Sequence, residues 1–163
     1  MPDLSIGLSG CTCASARPAM EAVARLMAPL GVSIEFLVVS LDPEEAQPEP
    51  IKGCRVEKLK ESSAALGDQL RAFREAGRGT WLITLEDPAL ADASLVFGFW
   101  HRRNTSDLLV ASRYTAGGSS QMPWLRTVLS RNLNRLYRFG LAVDIRDLSS
   151  ARRMYRTGDI VRW

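Results

Sequence analysis

Residues 81–88 read Trp-Leu-Ile-Thr-Leu-Glu-Asp-Pro, a short apolar run that ends in two acids and a proline. Five apolar or β-branched residues bounded by breaking residues predict a buried strand over Trp81–Leu85. Apolar runs at Leu4–Leu8 and Val32–Leu41 predict two more strands. Shorter segments at Arg55–Leu59 and Asp107–Ala111 also suit strands, so the sequence predicts five in all.

The segments between these strands carry helical periodicity. One helix is predicted from Arg17 to Leu30, where Gly31 stops it, another over Ala64–Ala76, and a third from about Pro88 to Trp100. The order strand, helix, strand, strand, helix, strand, helix, strand predicts an α/β fold. Its sheet is mainly parallel and has helices on its faces.

Charged side chains follow the predicted strands. Glu86 and Asp87 come directly after the strand that ends at Leu85, and Arg113 follows the strand over Asp107–Ala111. Ligands of parallel sheets bind beyond the carboxyl ends of the strands. The sequence therefore predicts acids and a phosphate-binding arginine on one rim. Neighbouring residues at a strand end usually point apart, so one of the two acids is expected to face solvent.

Two further segments are predicted to be loops. The small residues of Ser9–Ser15 follow the first strand, and Asp42–Pro50 follows the second. The second segment holds three prolines and three glutamates without periodicity, which indicates a solvated surface loop.

The segment from Pro123 to Gly140 has the spacing of an amphipathic helix, with a proline suited to its first turn and a glycine suited to its end. Arg126, Ser130 and Asn134 are four residues apart, so their side chains are expected to stack on the polar face and reach one anion together. The alternative is an ordinary solvated arginine-rich face. The apolar stripe comprises Leu125, Val128, Leu129, Leu133, Leu136 and Tyr137.

Composition fits one domain, because 163 residues that are 46% hydrophobic can bury a substantial core. From Asp107 onward there are ten arginines, four aspartates and no lysine, a net charge of +6 against −3 in the first 106 residues. Arginine alone favours forked contacts with phosphate or carboxylate. The sequence has no signature of a nucleic-acid-binding motif, so nucleic acid is not an expected partner.

The three cysteines form neither a zinc-ligand set nor a disulfide framework, which favours a reducing cytoplasm. The sequence has neither a standard signal segment nor an apolar run of about 18 residues. Peripheral contact with an anionic membrane surface is expected through the amphipathic segment, with Trp124 and its leucines inserted.

The last third of the chain resembles a family 2 glycosyltransferase of the dolichyl-phosphate mannose synthase type. That family has a strand ending in Gly-Ser-Arg-Tyr, then a glycine pair, an interfacial helix with Trp-x-x-x-Arg-x-x-x-Ser-like residues, and a later strand reading Asp-x-Thr-Ser-Gly-Phe-Arg-x-Tyr-Arg. The matching residues here are Ala111-Ser112-Arg113-Tyr114, Gly117-Gly118, Trp124 with Arg126 and Ser130, and Asp147-Leu148-Ser149-Ser150-Ala151-Arg152-Arg153-Met154-Tyr155-Arg156.

The resemblance implies a GT-A nucleotide-sugar-binding fold, as a single domain over residues 1–163 with a donor-side half (1–106) and an acceptor-side half (107–163). The strand ending at Leu85 lies where the family keeps an Asp-x-Asp motif that holds a divalent metal. Here Glu86 and Asp87 stand in its place and are the expected ligands of Mg²⁺ or Mn²⁺. Asp42 matches the acid that recognises the nucleoside.

The activity that the resemblance implies is sugar transfer from a nucleotide-sugar to a polyprenyl phosphate. Arg113, Arg126 and Ser130 are expected to hold the acceptor phosphate, and Arg153 to neutralise the diphosphate of the donor. With Arg113 and Arg153, Asp147 completes the set expected in catalysis.

Two alternatives remain open. Asp147 and Arg153 can instead form a structural ion pair. The chain can also be a catalytically inactive glycosyltransferase-like module that binds a nucleotide, an anionic lipid or a partner protein, alone or as a homo- or hetero-oligomer.

Overall fold

The computed structural model describes residues 1–60, 65–86, 93–112, 132, 135, 139, 147 and 150–158. Within these residues lie a six-stranded sheet and three α-helices. Their bounds in chain order are β1 Leu4–Cys11, α1 Cys13–Met27, β2 Ile34–Ser40, β3 Arg55–Leu59, α2 Leu66–Ala76, β4 Trp81–Glu86, α3 Ala93–Arg102, β5 Leu108–Val110 and β6 Arg153–Arg156.

The chain divides into two compact units. The first comprises Met1–Leu109 together with Arg153–Trp163, and the second comprises Val110–Arg152. The division of the chain into a donor-side and an acceptor-side half, which the sequence predicts at residue 107, stays a prediction.

The strands follow the order β3-β2-β1-β4-β6-β5 across the sheet. β1 runs parallel to both β2 and β4, β2 runs parallel to β3, and β6 runs antiparallel to β4. The mixed α/β fold with a mostly parallel sheet is therefore confirmed. The strand order reverses direction between β1 and β4, which makes their carboxyl ends the topological switch point of the sheet.

Helices cover both faces of the sheet. On one face, α2 places Phe73 against Gly7 of β1, and the core around Phe73 includes Leu37, Val39 and Leu82. The Glu45 carboxylate accepts hydrogen bonds from the N-terminus of α1 and from Ser40, the last residue of β2. The side chain of Ser40 belongs to the opposite face of the sheet. α1 also contacts α3, so these two helices share that second face.

α1 begins four residues earlier than the sequence analysis predicted, at Cys13 instead of Arg17. Thr12 caps it, and Thr12 with Ser15 forms a capping box in which each side chain accepts a hydrogen bond from the other residue's backbone N–H. The predicted loop over Ser9–Ser15 is thus divided between the end of β1, the Thr12 cap and the first turn of α1, and Pro18 lies inside the helix.

In the second unit, residues 132, 135 and 139 are helical, which agrees with the amphipathic helix predicted over Pro123–Gly140. The predicted apolar stripe and polar face lie outside the described residues. Phe139 is 91% exposed. Elsewhere in this unit, the Ala111 N–H donates to the Arg152 carbonyl at 3.0 Å, and Ser150 Oγ donates to the Ala111 carbonyl at 2.9 Å.

Among the helices in the described parts of the chain, none combines the length and the apolar character that crossing a bilayer requires.

Candidate functional site

The carboxyl edge between β1 and β4 is the candidate site of the first unit. Ser9 of β1 lies in register with Glu86 of β4, so both residues stand at the switch point. Ser9 is buried and Glu86 is exposed. Gly10 follows with φ +70° at an irregularity within β1, a left-handed conformation that glycine adopts at little cost because it has no Cβ. A ligand at this edge would therefore meet an acid and an irregular stretch of the β1 backbone.

β6 brings an arginine to the same edge. Because β6 runs antiparallel to β4, its first residue, Arg153, lies opposite Thr84, two residues before Glu86. Residues directly opposite in an antiparallel pair, and residues two apart on one strand, point to the same face of the sheet. Arg153, Thr84 and Glu86 therefore share one face at one edge. Arg153 is half-buried and has polar partners of its own.

The N-terminus of α1 lies at this carboxyl edge as well, and its backbone donors are all engaged. An α-helix leaves its first four N–H groups without intrahelical partners. Those of Thr12 and Ser15 bind within the capping box, at 3.0 and 3.1 Å. Those of Cys13 and Ala14 donate to the two carboxylate oxygens of Glu45, at 2.8 and 3.0 Å. An internal carboxylate thus occupies the position where helices commonly bind anions.

Glu45 comes from the segment that follows β2. Ser40 Oγ donates to Glu45 Oε2 at 2.6 Å, so the carboxylate accepts this bond together with those of two backbone N–H groups and of the Cys13 thiol. Partial burial alone would raise the pKa of Glu45, but the bonds from Ser40 and from the Cys13 and Ala14 backbone outweigh it. They lower the pKa to about 2. Glu45 is consequently an anion at all physiological pH values.

The thiol of Cys13 is the neighbour most affected by Glu45. Burial, a hydrogen bond with Glu45 and the negative charge of Glu45 together raise the pKa of Cys13 to about 11. A thiol is reactive as the thiolate, so Cys13 is a poor nucleophile in this arrangement.

Asp42, predicted to recognise the nucleoside, is exposed and builds a turn. Its Oδ1 accepts the Glu44 N–H at 3.0 Å, and its carbonyl accepts the Glu45 N–H at 3.3 Å. Its own N–H donates to Ser40 Oγ at 3.1 Å. Asp42 lies just after the carboxyl end of β2, where the sequence predicted it, and its nucleoside-binding role stays a prediction.

The remaining predicted residues divide into two groups. Asp147 is fully buried in the second unit, and its carbonyl accepts the Ser150 N–H at 3.3 Å. The roles predicted for it stay predictions. The other four predicted residues lie outside the described residues: Asp87, Arg113, Arg126 and Ser130.

A divalent metal has one described candidate ligand from the predicted set, Glu86. Among the residues that the structure describes, no three histidine, cysteine or acidic side chains come together as metal ligands would. The described residues alone do not build a metal site.

The sequence alone did not predict a role for Glu45, Ser40 or Lys58. Lys58 Nζ donates to the Pro43 carbonyl at 2.8 Å and also to the Glu45 carbonyl. Little in the sequence indicates the contact between Glu45 and α1. An acid in a loop after the second strand can reach the first helix only because β1 and β2 are adjacent, and the first helix was expected to start later.

Comparison with known proteins finds relatives both in sequence and in structure. No family model matches the chain. The polyprenol monophosphomannose synthase of Mycolicibacterium smegmatis is 44% identical over 52 residues, which are 31% of this chain and 20% of that protein. The crystal structure of S. aureus TarS 1-349 matches 96% of this chain with a TM-score of 0.45 and 16% identity.

The chain spans only part of both proteins, 20% of the synthase and 47% of the TarS chain. The synthase match supports a relationship with glycosyltransferases, as the motifs of the last third of the chain predicted.

Proposed function

We propose that this chain binds a nucleotide-sugar at the carboxyl edge between β1 and β4 and transfers the sugar to a polyprenyl phosphate. One observation carries the proposal: β4 and β6 bring Glu86 and Arg153 to the same face of the same edge, at the switch point of a mostly parallel sheet. An arginine there suits the diphosphate of a nucleotide-sugar, because its fork binds phosphate oxygens in pairs. The match to a polyprenol monophosphomannose synthase supports the choice of acceptor.

The proposed reaction makes modest demands on the protein. The bond between the anomeric carbon and the donor diphosphate breaks, while a bond forms from that carbon to a phosphate oxygen of the acceptor. Because the nucleophile is already an anion, no strong general base is needed. The protein must hold two anions together and stabilise the departing diphosphate. Arg153 supplies positive charge for the diphosphate, and Arg113, Arg126 and Ser130 are proposed to hold the acceptor.

Calorimetric titration with UDP-glucose, UDP-N-acetylglucosamine and GDP-mannose, each with Mn²⁺ and with chelator, tests the proposal. We expect micromolar binding of one donor, weakened by chelator and by Glu86→Ala. Glu75→Ala is the matched control, since Glu75 is exposed near the end of α2, just before the amino end of β4. Transfer to a polyprenyl phosphate is then measured with the donor that binds. Absence of binding to every donor would rule the proposal out.

A second candidate is a glycosyltransferase-like module without activity that binds anionic lipid. The observation in its favour is that internal contacts occupy the polar groups on the β1 and β2 side of the edge. The Glu45 carboxylate accepts hydrogen bonds from the Cys13 and Ala14 N–H groups in the first turn of α1. The Asp42 carboxylate accepts a hydrogen bond from the Glu44 N–H. Binding to vesicles of anionic lipid without any affinity for nucleotide-sugars would favour this module over the enzyme.

A further inference from the structure

The segment Asp42–Pro50, here called the strap, follows the carboxyl end of β2, which is the neighbour of β1 on the side away from β4. It leaves the end of β2 at Leu41, whose N–H donates to the carbonyl of Cys11 at 2.8 Å. The residue after the strap, Ile51, is buried and forms an isolated bridge with Cys54. The first end of the strap therefore lies against the last residue of β1, on one side of the switch point.

Three polar attachments hold the strap in place. The carboxylate of Glu45 binds the first turn of α1 and Ser40. Lys58 Nζ binds two carbonyls of the strap. The amide of Gln47 binds the backbone of Lys58 in both directions, accepting its N–H at 3.1 Å and donating to its carbonyl at 3.2 Å. The solvated loop that the sequence predicted is thus fixed at defined points.

The strap has little apolar attachment to match these polar ones. Seven of its nine residues are exposed, and the other two, Glu45 and Pro48, are half-buried. The nearest fully buried side chain in sequence beyond the strap is that of Ile51. A segment held by hydrogen bonds at the surface, with few buried apolar contacts, belongs to the part of a protein that opens at low free-energy cost.

We propose that the strap is a lid that covers the β1 and β2 side of the donor site and must open before a nucleotide-sugar binds. This inference rests on the proposed function, because it assigns a regulatory element to the same edge. If only the open form binds, the apparent dissociation constant equals the intrinsic one divided by the open fraction. Any change that opens the strap should tighten donor binding by the same factor.

Two reporters of opening are built into the chain. Cys13 is 5% exposed and lies against Glu45, so its alkylation by N-ethylmaleimide requires the strap to move. The Cys13 and Ala14 N–H groups are bound to the Glu45 carboxylate, so their hydrogen exchange also requires opening. Peptide mass spectrometry resolves both signals in the intact protein.

Lys58→Met is the variant that separates opening from altered thiol chemistry. It removes the lysine bonds to the strap but leaves the contacts of Glu45 with α1. The charge of Lys58 lowers the pKa of Cys13, so its loss makes the thiol less reactive. Faster alkylation in this variant can then come only from opening. Lys52→Met is the matched control, because Lys52 is an exposed lysine outside the strap.

We expect Lys58→Met to speed Cys13 alkylation and exchange of the two N–H groups by about tenfold, the effect of losing one or two hydrogen bonds. GDP-mannose or UDP-glucose should bind more tightly by the same factor, and Lys52→Met should change neither quantity. In the wild-type protein, the observed rate of donor binding should level off as donor concentration rises, at the opening rate of the strap.

Several other results would contradict the lid. Unchanged alkylation and exchange in Lys58→Met, or a wild-type binding rate that rises linearly without limit, would overturn the lid. Faster opening with unchanged donor affinity would also overturn it, while leaving the proposed function standing. If no donor binds to any variant, the proposed function fails and the lid fails with it.

Discussion

Arg153 lies directly opposite Thr84 in the antiparallel pair of β4 and β6. Thr84 in turn lies opposite Gly7 in the parallel pair of β1 and β4. These residues form one row across the switch point, and Glu86 stands one step further toward the carboxyl edge on the same face. Because β6 runs antiparallel to β4, the first residue of β6 lies near the carboxyl end of β4.

Replacing Arg153 with alanine should weaken donor binding by about 10- to 100-fold, the range expected when a charge-assisted contact with phosphate is lost. Arg156→Ala is the control on the same strand. Arg156 stacks over the ring of Trp81 at 4.9 Å and pairs with Asp107 at 3.3 Å, so its role is structural. Titration of both variants with the donor that binds the wild type checks this. Equal weakening in the two variants would count against a specific role for Arg153.

Gly7 is predicted to be indispensable for packing, since a Cβ at this position would lie 2.6 Å from the Phe73 ring. Gly7→Ala should lower the free energy of unfolding by about 2–3 kcal/mol, the usual cost of overpacking a core. Gly67→Ala is the control, because Gly67 lies in the first turn of α2 with no atom within 4 Å of a new Cβ. It should be neutral or stabilising by up to about 1 kcal/mol. Urea denaturation measures both; a neutral Gly7→Ala would show that α2 can shift.

The sheet could be predicted from the sequence because its strands carry local signals. Trp81–Leu85 is apolar except for the β-branched Thr84, and Arg55–Leu59 alternates, so both were placed within one residue of the observed strands. The start of α1 could not be placed in this way. Its first turn depends on reciprocal bonds between Thr12 and Ser15, two residue types that are equally common in loops.

The candidate site was predictable only in part, because it depends on pairs that are distant in the sequence. The position of Glu86 at a strand end follows from local pattern, and Arg153 was chosen for its resemblance to a family motif. The contact of Glu45 with Cys13 joins residues 32 apart and exists only because β1 and β2 are neighbours. Proline and glutamate in the strap indicated solvation correctly for most of its residues but gave no sign of its attachments.

Glu35 is expected to stabilise the opposite, amino-terminal end of the sheet. It is 1% exposed and accepts hydrogen bonds from Ser5 Oγ at 2.7 Å, from the Arg78 N–H at 2.5 Å and from Arg55 Nη1 at 3.0 Å. Glu35→Ala leaves these donors without their acceptor and should cost about 2–4 kcal/mol of unfolding free energy.

Glu57→Ala is the matched control for Glu35→Ala. Glu57 binds the same Arg55, but both partners are accessible to solvent, so the loss should stay below about 1 kcal/mol. Denaturant titrations of the two variants make the comparison. Similar losses would mean that the pairing of Arg55, and not the burial of Glu35, determines stability here.

The hydrogen bonds of Glu45 predict a defined dependence of stability on pH. They hold its pKa at about 2, below the ordinary value of 4.5. Above pH 4.5 the carboxylate is ionised in both the folded and the unfolded chain, so its stabilising effect is complete. As the pH falls from 4.5 toward 2, the unfolded chain takes up the proton first and that effect is lost.

Glu45→Gln should therefore be less stable than the wild type by about 1 kcal/mol at pH 7, from weakened helix capping. The difference should shrink toward zero near pH 2. Urea denaturation across this range measures it, with Glu44→Gln as a control that shows no such trend. A difference that persists unchanged to pH 2.5 would mean that the charge of Glu45 does not hold the strap to α1.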